Sequence, residues 1–523
     1  MKRSLLVLLC LLPGMSLMLQ AREVSFGELR TMVAPGGEQT VSEELELTGL
    51  VISEPKHSNL AEGEQRTFRN NSSTQNDRTA YLESPSEGLG AKLVFQHFDP
   101  EAARALRYAR LTLSLKGAVL KMTARGALSI EDLPNGSILS VTEGTAADLP
   151  LRQKTLRELK AEDLNTWVSI PDCEYVFKDG AYVNILESYA RSNPDNKKYK
   201  PLGYMDTWQS LLCDGQATPL YVVINARTPW RRTGKGVPQG KGTISGILVD
   251  EDNVRYGSVR GWQIRPLEES DIAFDWNGPS SFKTLAEWNW NDGEKTFNTT
   301  EGPVERFRSE KMVPEVGKGE LTLEGTTSTY RGLDCNNPVL EPAKAEIRGA
   351  KGLVRQGAME IRAQVPNWWN WGDDCGNAVV LKFSTKNLKA QKLFLAFSFA
   401  AGANKASCSR LNPAWWGVEV STDNVNIARM DIPDIRLHTL PWWESTMEGV
   451  TYTTSMEAGM GMTEHLVELP SSLIGQESVY VRIFPTRKVL MTLAEQGSAN
   501  AALRQNMTYW SVVSFGAITL RYR

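Results

Sequence analysis

The stretch Glu44–Pro55, Glu-Leu-Glu-Leu-Thr-Gly-Leu-Val-Ile-Ser-Glu-Pro, constrains the fold more than any other part of the chain. Side chains alternate faces along a strand, so Leu45, Leu47, Gly49 and Val51 share one face and Glu46, Thr48, Leu50 and Ile52 the other. The first half is apolar on one face only. The second half, Leu50-Val51-Ile52, is aliphatic throughout, as a strand covered on both faces requires. Gly49 at the junction predicts a bulge or bend at the corner of a small barrel. Pro55 has no N–H to donate and ends the ladder.

Around this strand the spacing predicts a small sheet. Ser25 and Glu28 have capping-box spacing and start a short helix. Arg78–Ser84 and Ala91–Gln96 read as a hairpin. Asp99-Pro100 reads as a helix start, leading through Glu101–Ala109. The strand Leu111–Leu120 follows, with Gly117 in its middle, and Ala127–Ile130 and Ile138–Val141 complete the sheet. Lys56–Asp77 is polar and reads as a long surface loop.

The order then recurs. Thr155-Leu-Arg-Glu-Leu-Lys repeats the capping box, and Trp167–Val176 is the counterpart of the first strand. Tyr221–Asn225, Gly242–Val249 and Val259–Ile264 follow as strands, with a polar insertion at Ser192–Lys200 and a turn at Asp250–Tyr256. The expected fold class is therefore mainly β. An OB-like barrel region, duplicated as residues 22–150 and 151–275, leads through a linker at Asn277–Ser281 to a β-sandwich or jelly roll over 282–523. That last part holds ten of the 15 Trp residues and reads as short strands at Val379–Phe383, Leu393–Phe399, Gly417–Ser421, Val479–Phe484 and Val512–Arg521. Met491–Gln505 is its main helical stretch.

Residues 22 to about 275 resemble a family of secreted bacterial proteins built on an OB-like barrel. The motifs that carry this are the capped helix, the Leu-Thr-Gly-Leu-Val-Ile-Ser strand, the hairpin at Tyr81, Leu115-Lys116-Gly117 and Val237–Leu248. The resemblance implies fold and export, and no catalytic residues. The chain departs from it by insertions at Lys56–Asp77 and about Tyr182–Pro219. The tracts beginning at Asn377 and Trp416 resemble jelly-roll modules of the galactose-binding kind.

The N-terminus supports the same address. Lys2 and Arg3, the apolar run Leu5–Leu12 and Leu19-Gln20-Ala21 compose a secretory signal over 1–21, and no later segment is apolar enough to span a membrane. The expected location is secreted, periplasmic or cell-surface. An oxidising compartment makes Cys173 and Cys213 the natural disulfide pair, with Cys335, Cys375 and Cys408 an odd set. The net charge of −3, or −5 without Lys2 and Arg3, gives no general attraction to nucleic acid or anionic membrane.

Candidate contacts follow from residue chemistry. Trp368, Trp369, Trp371, Trp415, Trp442 and Trp443 offer flat rings on which sugar faces stack, and adjacent strand residues face opposite sides, so one ring of each pair belongs to the core. Trp416 is the core member beside Gly417-Val-Glu-Val, which turns Trp415 outward. Asp373 and Asp374 are the oxygen donors a structural calcium would use, in a stretch whose Gly and Asn also compose a turn. Trp230, Arg231 and Arg232 are the basic and aromatic residues through which an OB-like loop holds single-stranded nucleic acid. The four His residues lack zinc spacing, and no phosphate loop or serine elbow occurs. The expected role is non-catalytic binding or scaffolding on a glycan or surface polymer. The alternatives are a hydrolase of polysaccharide or nucleic acid, and an adhesion or assembly component with a protein partner.

Overall fold

The structure is a computed structural model. It describes residues 21–54, 59–60, 77–178, 182, 208–224, 228–230, 236–251, 261–290, 299–300, 307–309, 311–325, 339–341, 358–364, 378–401, 415–437, 442–447, 450–455, 463–486 and 510–523. The signal stretch, Met491–Gln505 and the turn from 252 to 256 lie outside these residues.

The chain opens on helix α1 (Phe26–Met32), whose capping box forms as the spacing requires. Glu28 N–H donates to Ser25 Oγ at 3.1 Å, and Ser25 N–H to the Glu28 carboxylate at 2.9 Å. Strand β1 is Leu45–Val51. It pairs with the hairpin β2 (Thr79–Ser84) and β3 (Leu89–Phe95), and with β4 (Arg110–Ser114). After β4 the chain turns at Gly117, φ +85°, into β5 (Val119–Met122). Strand β6 (Leu128–Leu133) pairs with β5 antiparallel and with β3 parallel. Taking β4 and β5 as one bent strand, the pairing runs first-second-third-fifth-fourth-first and closes. This is the Greek-key order of an OB-fold. Strand β7 (Ile138–Thr142) is added beside β4.

The second barrel repeats the order. Strand β8 (Trp167–Tyr175) pairs with β9 (Trp208–Asp214), which pairs with β10 (Pro219–Ile224). β10 runs parallel to β12 (Gly261–Arg265), and β11 (Gly242–Glu251) closes the ring against both β12 and β8. Before β8 the Glu158 carboxylate accepts from the Thr155 N–H at 2.9 Å, which matches the capped turn before β1.

Five sequence readings are corrected. Gly49 is in register with Leu111, so it makes no bulge; an added Cβ would lie 2.7 Å from the Leu82 side chain, and glycine is there for close packing. Asp99 caps only one turn, because Arg104 at φ 57° is left-handed and no helix continues. The loop Lys56–Asp77 is not all at the surface: Asn59 and Leu60 are buried, and Asn59 donates to the Val223 and Pro266 carbonyls at 3.0 and 2.7 Å. Strand β9 lies inside the stretch read as an insertion. Finally, Cys173 and Cys213 are free thiols. Cys213 stands opposite Glu174, not Cys173, so the one-residue offset sends the two thiols to opposite faces of the sheet. Cys173 packs in the barrel core and Cys213 in the contact with the sandwich.

The C-terminal part is a two-layer β-sandwich. One sheet, of seven strands among the described residues, contains β13 (Lys283–Trp288), β15 (Ala358–Gln364), β17 (Leu393–Ala401), β19 (Thr463–Leu469) and β21 (Trp510–Tyr522). The other, of eight, has the order β14 (Glu320–Gly325), β16 (Ala378–Phe383), β20 (Val479–Pro485), β18 (Trp415–Ser421). Alternate residues meet between the layers: Leu381, Trp416, Val418, Val481 and Ile483 face Leu395, Phe397, Phe399, Phe515 and Ile518.

The outer face of the second and third strands is where an OB-fold usually takes its ligand. Here each such face is covered by the next unit. In the first barrel Tyr81 on β2, with Ile52 and Leu60, packs against Trp167, Ile247, Val249 and Leu267 of the second. This is why Leu50, Val51 and Ile52 are all buried. Gly90 on β3 permits the approach, since a Cβ there would lie 2.1 Å from the Asn165 carbonyl oxygen. Within the same contact the Glu251 carboxylate pairs with the fully buried Arg265 guanidinium and with Lys92 at 3.0 Å. Burial opposes the Glu251 charge, but Arg265 and then Lys92 outweigh it and hold the pKa at about 2. In the second barrel Leu211, Cys213 and Tyr221 of β9 and β10 pack against Phe394, Ala396 and Leu466 of the sandwich. The Leu211 N–H donates to the buried Glu464 at 2.8 Å.

Candidate functional site

With both barrel platforms covered, the sheet face that carries outward aromatics is that of β14-β16-β20-β18. The alternation that buries Trp416, Val418 and Val420 turns Trp415, Gly417 and Glu419 the other way. On β20 the same alternation turns out Tyr480, Arg482 and Phe484. Cross-strand register then sets Gly417 opposite Phe484 and Glu419 opposite Arg482. A Cβ on Gly417 would lie 2.6 Å from the Thr486 side chain and in ordinary contact with the Phe484 ring, so Thr486 is what requires the glycine here.

Each outward aromatic has a cation beside it. The Arg436 guanidinium lies 4.8 Å from the Trp415 ring, Arg429 5.8 Å from Phe484, and Lys382 5.7 Å from Tyr480. Between them runs a polar row. Arg482 lies 3.5 Å from the Glu324 carboxylate and 3.4 Å from that of Glu419, and donates to Asn424 Oδ1 at 3.3 Å. Burial pushes the Glu419 carboxyl up, against the opposing pull of Arg482. The face thus combines flat rings with fixed hydrogen-bonding groups, the equipment for holding a hydroxylated ring.

The sequence-based candidates are placed as follows. Trp415 is half-buried, with part of its ring packed against the edge of the sandwich core, and Trp416 is within that core. Trp442 and Trp443 begin the strand Trp442–Met447, which pairs with Val450–Ser455; their side chains are not described. Trp368, Trp369, Trp371, Asp373, Asp374, Arg231 and Arg232 lie outside the described residues. Trp230 corrects the nucleic-acid reading: it is buried in the second barrel, and its indole N–H donates to the Leu267 carbonyl at 3.0 Å, so no ring face is left for a base. No group of three or more His, Cys, Asp or Glu able to hold a metal occurs among the described residues. No helix among them is long and apolar enough to cross a membrane.

Sequence reading missed Tyr480, Arg482, Phe484, Glu419, Arg429 and Arg436. The signal was present in Val479-Tyr-Val-Arg-Ile-Phe, where every second residue is aromatic or charged.

No known protein family matches the sequence, and no curated protein matches it. Among solved structures the chain is similar to a carbohydrate-binding module described by its specific mannan recognition, at 9% identity and a TM-score of 0.20, over 46% of this chain and 98% of that one. A likeness at that score bears on neither fold nor ligand.

Proposed function

We propose that this chain is an exported, non-catalytic protein that binds a glycan or other surface polymer through the sheet face centred on Trp415. The observation that carries this reading is the pairing of Trp415 with Arg436 at 4.8 Å, on a face that also presents Phe484 and the Arg482–Glu419 row. A tryptophan stiffened by a guanidinium offers a flat apolar surface at small conformational cost, and the charged row reads hydroxyl positions around it. The covered barrel platforms leave the sandwich as the part of the described chain that offers a ligand surface of this kind. The export signal over 1–21 agrees with a polymer met outside the cytoplasm.

The test is retention of the purified full chain on a panel of immobilised polysaccharides. Trp415→Ala is expected to weaken binding at least tenfold while the chain keeps a cooperative melting transition. Equal retention of parent and variant, or no retention on any polysaccharide, overturns the proposal.

A further inference from the structure

The dipeptide Asn-Gly occurs twice in this chain, at Asn135-Gly136 and Asn277-Gly278. Asparagine is a thermolabile residue, and a following glycine has no side chain to keep its nitrogen away from the neighbouring amide. The two pairs sit in opposite surroundings, and the difference decides which one reacts.

Asn135 and Gly136 are the central residues of the turn from β6 into β7, and both are exposed. The Ser137 N–H closes the turn on the Pro134 carbonyl at 3.1 Å, with Gly136 at φ +81°. Among the described residues, the peptide between Asn135 and Gly136 carries no hydrogen bond, and neither does the Asn135 side chain. A Cβ added to Gly136 would meet nothing within 4 Å. That peptide can therefore turn while the closing bond holds, and such turning carries the Gly136 nitrogen towards Asn135 Cγ. Asn277-Gly278 is held instead. The Asn277 N–H donates to Asp275 Oδ1 at 3.0 Å. A Cβ on Gly278 would lie 2.5 Å from the other oxygen of that carboxylate, and one on Gly240 would lie 2.8 Å from the Gly278 Cα, so Gly278 is gripped from two sides. Pro279 follows, and the residue before a proline has less backbone freedom.

We infer that Asn135 is a site of spontaneous modification, converting through a cyclic imide to aspartate and isoaspartate. The Gly136 nitrogen gives up its proton and bonds to Asn135 Cγ. The Cγ–Nδ2 bond breaks, and ammonia leaves with the proton. Water then opens the ring. Opening at Cγ leaves aspartate; opening at the main-chain carbonyl leaves the chain running through the side chain, one carbon longer. The balance is one water taken up and one ammonia released, with no change of oxidation state. The longer form has little room to spread, since just beyond the turn the Ser137 carbonyl accepts the Ser114 N–H at 2.7 Å. The strain falls on β7, whose register against β4 already shifts between Thr112 and Leu113.

The experiment ages the purified full chain at pH 8 and 37 °C and digests samples with pepsin at low pH, where further conversion is slow. Mass spectrometry follows the peptides holding Asn135 and Asn277 for the exchange of NH for O. Transfer of a labelled methyl group by an isoaspartyl methyltransferase reports the isoaspartate. In the native chain the Asn135 peptide is expected to convert at least tenfold faster than the Asn277 peptide. In urea, where neither turn persists, the two rates are expected to come within threefold of each other. An unchanged Asn135 overturns the inference, as does conversion of Asn277 at the same rate in the native chain. A tenfold ratio that survives in urea overturns it too, since the fold would then not set the choice.

Discussion

The sharpest test of the barrel-to-barrel contact is Glu251→Gln. The change is isosteric and removes one charge from a site where Arg265 is fully buried and Lys92 is mostly so. Arg265 keeps its hydrogen bond to Asn59 Oδ1 at 3.3 Å, but both cations lose their carboxylate. Removing one partner of a buried ion pair costs about 3–5 kcal/mol, because a buried charge is left uncompensated. The pH dependence gives a second handle. The Glu251 pKa is held at about 2 in the fold against 4.5 ordinarily. A depressed carboxyl contributes stability that is complete above the unfolded value and is lost as pH falls through the folded one. The shift corresponds to about 3 kcal/mol, of the same order as that loss. Urea denaturation of the full chain, followed by tryptophan fluorescence, reads this through Trp167, which packs in the same contact. The parent should exceed the variant by about 3 kcal/mol at pH 7, and the gap should close as pH falls from 5 towards 2. A gap under about 1 kcal/mol at pH 7, or one that stays constant with pH, refutes the reasoning.

Three further outcomes follow from geometry already described. Gly90→Ala places a methyl 2.1 Å from the Asn165 carbonyl, so the barrels must shift; a loss of about 1–3 kcal/mol and faster proteolysis near residue 150 are expected. Trp416→Ala should lower stability by about 3–5 kcal/mol and the half-buried Trp415→Ala by clearly less, measured side by side by thermal melting. Cys173 and Cys213 should stay unreactive towards a thiol reagent in the native chain and react on denaturation, since burial pushes both thiols up and neither is bonded to the other.

How much of this was legible in the sequence depends on whether the signal was local. The capped turns at Ser25 and Thr155 were readable, because their chemistry lies within four residues. The alternation of Trp415–Ser421 separated core from surface, because a strand pleats whatever it pairs with. Strand β9 was not readable: its stretch Ser210-Leu-Leu-Cys-Asp is buried on both sides, so its period is erased by the sandwich that covers it. The free thiols were missed for a related reason, since register sets which face a residue takes and spacing along the chain does not. Asn59 and Gly90 are explained only by a barrel more than 70 residues further on.

The cover that each unit lays on the one before it matters while the chain is being made. Synthesis runs from the N-terminus, so the first barrel can close while Ile52 and Tyr81 still await the residues that will clothe them. For that interval the newborn chain carries a greasy flank, and a copy cut off near residue 150 would carry it permanently. Such fragments should clump.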